Sequence, residues 1–178
     1  MTRRPDRRLV FGAEVVRQAF EEASAALPLE TGGVLLGFRD AEGIVVTRLL
    51  TVRDEASSGV SYVRSREHAQ KALEIELELA PSHVGYVGEW HSHPAPSEPS
   101  GIDERSLRAT VLSGRAPIAL LVVATAADGT WSVHARLAEG VPRMFRAKSV
   151  RVVVPTVLVD ERPVSQLEDA GRQSNNDA

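Results

Sequence analysis

Apolar positions along the chain switch repeatedly between a helical and a strand-like rhythm. Val15, Val16, Ala19, Phe20 and Ala23 recur at three- and four-residue intervals, which predicts an amphipathic helix over 13–26. Residues 33–38 and 44–52 are nearly continuous apolar runs joined by the turn-rich Arg39-Asp40-Ala41-Glu42-Gly43, and read as two strands. The polar stretch 53–59 leads to a short strand around Tyr62. Over 65–80 the spacing becomes helical again, with Ala69, Ala72, Leu73, Ile75 and Leu79 on the expected buried side and Pro81 just beyond the end. Residues 83–93 read as a strand, and 102–112 as a helix with Leu107, Val111 and Leu112 turned inward.

The run 118–124 is apolar at every position, as expected of a strand covered on both faces in the middle of a sheet. Asp128-Gly129 marks a hairpin turn into a strand over 131–137. A last strand near 150–154 either closes the sheet or offers its edge to a partner. Beyond it Gln, Asn, Asp, Ser and Gly dominate, so 161–178 is expected to be a mobile tail following a domain over 1–160. Helices and strands alternate without repeats, which gives an α/β fold class: a mixed central β-sheet flanked by helices.

Composition narrows the function. A chain of 178 residues with 43% hydrophobic and 25% charged residues is the size and make-up of one globular unit. A formal net charge of -3 offers no electrostatic case for nucleic acid as the main partner. Cysteine is absent, which removes disulfides, thiolate nucleophiles, cysteine metal sites and the zinc nucleobase deaminases together. No apolar run approaches the length of a membrane helix. The arginine-rich start is followed by Glu14, Arg17, Glu21 and Glu22 rather than by a signal-like apolar segment, so a cytoplasmic location is expected.

The chemistry concentrates in Glu89-Trp90-His91-Ser92-His93-Pro94, with Ser100 and Asp103 downstream. Strand side chains alternate with period two, so His91 and His93 point to one side. An oxygen ligand from the next element, Asp103, completes three protein ligands and leaves a fourth position open, as a catalytic zinc requires. Separate structural readings exist. Ser100-Gly101-Ile102-Asp103 also fits a helix capping box, and the two histidines could be a satisfied pair on a buried strand. Glu89 shares their alternation and could steady an imidazole N–H, or be a glutamate at the core edge. His68 and His134 have no neighbour at ligand spacing and read as incidental, and Trp90 as a packing residue. Upstream, Glu30 sits at the mouth of an apolar strand beginning Gly32-Gly33, where a carboxylate can take a proton from water and pass it to a leaving amine; alone, it also fits a surface loop.

Together these residues resemble the JAMM (MPN-plus) metalloprotease family, over roughly residues 9–140. That family shows a glutamate ahead of a glycine-containing apolar strand, then His-x-His-Pro, then Pro-Ser-x-x-Asp. Here the match reads Glu30 before Gly32, His91-Ser92-His93-Pro94 and Pro99-Ser100-Gly101-Ile102-Asp103. The resemblance implies Zn2+ held by His91, His93 and Asp103, Glu30 as general base, and Ser100 as a hydrogen-bond donor to the oxyanion of the scissile carbonyl. One departure concerns the loop: the family commonly has seven residues between the second histidine and the serine, and this chain has six.

What the resemblance implies for activity is an isopeptidase or peptidase of the deubiquitinase kind, cutting after the diglycine tail of a ubiquitin-like protein. The context is closest to compact bacterial members, often encoded with E1-like and E2-like proteins and in part linked to antiphage defence. Two alternatives are a hydrolase acting on a ThiS-like sulfur carrier and a catalytically silent MPN scaffold.

Overall fold

The computed structural model describes residues 7–52, 66–114, 116–126, 128–141 and 149–176. In chain order they form β1 (Arg8–Gly12), α1 (Ala13–Ala26), β2 (Gly32–Arg39), β3 (Gly43–Thr51), α2 (Arg66–Leu79), β4 (Gly85–His93), α3 (Gly101–Gly114), β5 (Ile118–Thr125), β6 (Trp131–Val141), β7 (Ser149–Val153), β8 (Thr156–Asp160) and α4 (Val164–Asn176). The expected strand around Tyr62 lies outside the described residues.

All eight strands join one mixed sheet in the order β7-β6-β5-β4-β2-β3-β1-β8. β1 runs parallel to both β3 and β8, β4 runs parallel to β5, and the other neighbours are antiparallel. β5 occupies the interior position its unbroken apolar run predicts: Ala119, Leu121 and Val123 pack on one face, Ile118, Leu120 and Val122 on the other. The first face carries α1 through Val15, Ala19 and Ala23, together with Leu9, Phe11, Leu35, Ile44 and Trp90. Against the second lies α3, through Leu107 and Val111. The architecture is therefore the expected α/β domain with a mixed sheet between helices. No helix among the described residues is long and apolar enough to cross a membrane.

Several elements depart from expectation. β1 and β8 are five-residue strands that the apolar rhythm did not separate from their surroundings. On α2, Ile75 and Leu79 are exposed rather than buried, because the helix turns Glu76 to Arg48, with Nη1 2.7 Å from Oε1. Leu112 on α3 is also largely exposed, while Leu107 and Val111 carry the contact.

The tail expectation is corrected over 164–176, where α4 packs on the sheet. Leu167 is 2% exposed, and Glu168 accepts hydrogen bonds from Arg48 Nε (2.8 Å), Arg48 Nη2 (3.0 Å) and Thr47 Oγ1 (3.1 Å). The anchors include Leu167, the buried and fully paired Glu168 carboxylate, and Gly171, buried so close to the Phe38 ring that a Cβ there would lie 2.6 Å from it. Leu167→Ala is therefore expected to cost about 2–5 kcal/mol, the range for removing a buried leucine side chain. Urea unfolding of the two proteins measures it; a loss under 1 kcal/mol would mean α4 does not hold the sheet edge.

Candidate metal centre

β4 builds the site because both its neighbours fix its register. Antiparallel β2 sets Gly32 opposite His91, and parallel β5 sets Val122 beside His91 and Ala124 beside His93. Trp90 points the other way, into the α1 face, where it is 1% exposed and donates its indole N–H to Leu50 O. The two histidines thus face α3, as their alternation predicts. Gly32 makes the close approach of β2 possible: a Cβ there would lie 2.4 Å from Trp90 O and 2.9 Å from His91 Cβ.

Ser92, buried between the histidines, locks the same junction. Its N–H donates to Thr31 O (2.7 Å) and its Oγ accepts from Thr31 N (3.0 Å). Glu30 immediately precedes Thr31, so this pairing carries the half-buried glutamate to the end of β2 that adjoins the histidine end of β4.

Asp103 arrives from the first turn of α3. Its Oδ1 lies 3.5 Å from His91 Nε2 and its Oδ2 4.0 Å from His93 Nε2, while the two Nε2 atoms are 3.1 Å apart. Among the described residues, this trio is the group of His, Cys, Asp and Glu whose ligand atoms converge, all within 4.8 Å of one another. Two ring nitrogens and a carboxylate aimed at one point are compatible with a metal site.

The capping box is present as well. Ser100 Oγ accepts from Ile102 N (3.2 Å) and Asp103 N (3.3 Å), and Asp103 Oδ2 accepts from Ser100 N (2.5 Å). The cap does not exclude a ligand role for Asp103, because a carboxylate has two oxygens. Ser100 Oγ accepts from both helix amides, and its hydroxyl hydrogen remains a donor, with the Asp103 carboxylate among its neighbours.

Electrostatics favour an ionised Asp103 and a neutral His93. Burial alone raises the Asp103 carboxyl pKa, but the hydrogen bond and charge of His91, with the Ser100 bonds, outweigh it and hold the group well below the usual carboxylate range. His93 is pushed down from the ordinary histidine value by burial first and by His91 next, against Ser97 O and Asp103.

Three contributors escape sequence reasoning. Ser97, inside the proline loop, places Oγ 2.7 Å from His93 Nδ1. That contact lets Nδ1 carry the proton and leaves the Nε2 lone pair facing Asp103 and His91. Arg136 on β6, 12% exposed, donates from Nη2 to Glu98 Oε2 (2.9 Å) and from Nε to Glu104 Oε1 (3.4 Å), tying the loop and α3 to the sheet. His134, opposite Val122 and so on the face of His91, adds to the lowering of His93. Only the strand register reveals these last two. Glu89, on the same face, accepts from the Tyr86 hydroxyl at 3.0 Å.

Known proteins resemble this chain to different depths. Three curated relatives are each named CD-NTase/cGAS isopeptidase. The one from Escherichia coli is 28% identical over 95 residues, covering 52% of this chain and 61% of the relative. The relative from Enterobacter hormaechei is 29% identical over 103 residues, 56% of each chain. That from Vibrio cholerae is 30% identical over 121 residues, 64% of this chain and 74% of the relative. The chain thus spans between 56% and 61% of the length of the first two. A solution structure of a protein from Desulfitobacterium hafniense has a similar fold, with a TM-score of 0.62 at 18% identity over 89% of this chain and 97% of that one. A family model described as prokaryotic homologs of the JAB domain matches residues 12–137, a span that holds Glu30, His91, His93, Ser100 and Asp103. The chain belongs to that family, the prokaryotic homologues of the JAB domain.

Proposed function

We propose that the protein is a zinc-dependent isopeptidase that cuts after the C-terminal glycine tail of a ubiquitin-like protein, with E1-like and E2-like proteins supplying the conjugates. The observation that carries this reading is the convergence of His91 Nε2, His93 Nε2 and the Asp103 carboxylate. Two donors each about 2.0–2.1 Å from a tetrahedral zinc lie about 3.3 Å apart. The 3.1 Å between the two Nε2 atoms and the 3.5 Å from His91 Nε2 to Asp103 Oδ1 fit that ion with small adjustments. The donor set of two imidazoles and one carboxylate is a common one for zinc with an open fourth position. When bound, zinc supplies Lewis acidity, acidifying water and polarising a carbonyl.

The chain's own residues then have distinct tasks. Glu30 takes a proton from the attacking water and delivers it to the departing lysine amine, so an amide and water become a carboxylic acid and an amine. Ser100 donates its hydroxyl hydrogen to the oxyanion growing on the scissile carbonyl. The three relatives' shared name supports an isopeptide bond as the target, and a CD-NTase/cGAS-type enzyme as one candidate for the modified protein.

Incubating the protein with conjugates of a bacterial ubiquitin-like protein, with and without a zinc chelator, tests the reading. Mass spectrometry should show a free glycine C-terminus and an unmodified lysine, lost on chelation and restored by zinc. Cleavage indifferent to chelation, or none with any conjugate, would remove it. A second test bears on the metal alone: Ser97→Ala should weaken zinc binding about 10–100-fold, the usual cost of losing a ligand's outer partner. Competition against a chromogenic chelator measures it, and unchanged affinity would show that the Ser97 contact does not orient His93.

A further inference from the structure

The two edges of the sheet are built differently. β7 carries Arg151 at its centre, exposed and paired with Glu139, and a charged residue there discourages a further strand from adding. β8, at the opposite edge, reads Thr156-Val157-Leu158-Val159-Asp160, with its only charge at one end. Among the described residues nothing pairs with its outer side. Val157, Leu158 and Val159 are 38, 44 and 51% exposed. Val157 and Val159 register with Leu9 and Phe11, on the face of α1, and Leu158 with Val10, on the opposite face. The edge is therefore apolar above and below the sheet.

We propose that β8 is a self-association edge, on which two copies of this chain pair antiparallel about Leu158 to make one continuous sheet. The strand itself selects this occupant, because it is nearly palindromic. A two-fold axis at Leu158 sets Leu158 against the partner's Leu158, Val157 against the partner's Val159, and Thr156 against the partner's Asp160. Every apolar residue meets an apolar one, and each Asp160 carboxylate, already accepting from Arg162 Nε and Nη2, lies opposite a hydroxyl. Centring the axis on Val159 instead would set Leu158 against the partner's Asp160, and centring it on Val157 would set Leu158 against the partner's Thr156, so the Leu158-centred register matches apolar with apolar best. β4 lies four strand positions away from β8, roughly 19 Å along the sheet at the usual strand spacing, so both metal centres stay open in the pair. The proposal is independent of the metal reading. A five-residue edge supports a reversible dimer rather than an obligate one.

Sedimentation velocity over a concentration series tests it on the full chain. The parent is expected to pass from monomer to dimer across the micromolar range. Leu158→Lys places two ammonium groups face to face and should yield monomer at every concentration, with circular dichroism and melting temperature matching the parent. The register is read by a charge pair of variants. Thr156→Lys, opposite Asp160, should tighten the dimer, and Thr156→Asp should loosen it, each about two- to thirtyfold because the change acts twice across the axis. A parent that stays monomeric at all concentrations overturns the proposal. So does a dimer indifferent to Leu158→Lys, one that shifts the same way in both Thr156 variants, or β8 capturing only a foreign strand.

Discussion

Glu30→Gln is expected to leave the melting temperature and zinc affinity close to those of the parent while slowing isopeptide cleavage about 100- to 10,000-fold, the usual contribution of a positioned proton-transfer group. Glutamine keeps the shape and the polar end of the side chain. The backbone beside it is fixed by the reciprocal bonds between Thr31 and Ser92, so the substitution has no reason to move β2. What is lost is the ability to take a proton and return it. Because that transfer occurs only on the way to the transition state, kcat and kcat/KM should fall together with KM little changed. Glu30→Asp makes a finer test: it keeps the base and withdraws it by about one methylene, and a misplacement near 1 Å costs roughly 100-fold. Parent-like turnover in Glu30→Gln, with zinc still required, would assign the base to another residue.

The site was legible in the sequence to the extent that its residues lie on regular elements. Period two alone places His91 and His93 on one face, and a strand's neighbours then decide which face. The Ser-x-x-Asp pattern offered a cap or a ligand as rival readings; the geometry shows the cap, with Oδ2 on Ser100 N, and leaves Oδ1 toward His91, compatible with a ligand. What escaped depends on partners far away in the chain. β1 and β8 register Arg8 with Thr156, a parallel pairing that leaves no local signature in either five-residue run. α4 owes its place to Glu168 reaching Arg48, 120 positions earlier, in a segment whose composition reads as a tail. The buried face of α2 follows Glu76 toward that same arginine and not the count of apolar residues. Ser97 escaped because it lies in an irregular proline loop, where spacing carries no direction.

Asp103 caps α3 and, in the proposed function, also holds the metal, so its two simplest replacements should separate the two roles. Asp103→Ala removes the carboxylate from His91 and the acceptor from Ser100 N. Zinc affinity should fall by well over the 10–100-fold that losing an outer partner costs, and the metal-free protein should lose about 1 kcal/mol with its cap. Asp103→Asn keeps an oxygen for Ser100 N and gives up the charge: metal binding should be nearly as poor, and the metal-free protein should keep its cap while losing, at neutral pH, the increment that the ionised carboxylate contributes. Acid distinguishes them again. Burial raises the Asp103 pKa, but His91 and Ser100 lower it more, so the folded value lies below the unfolded one. The stability this contributes is therefore present above about pH 4 and fades as pH falls through the folded value. The parent should lose that increment on acidification, and Asp103→Asn, with nothing to titrate, should not. Calorimetry of metal-free proteins with parallel zinc titrations reads both effects. An Asp103→Ala protein that still binds one zinc at parent affinity, while showing the cap loss, would reduce Asp103 to a helix cap and take the metal reading with it.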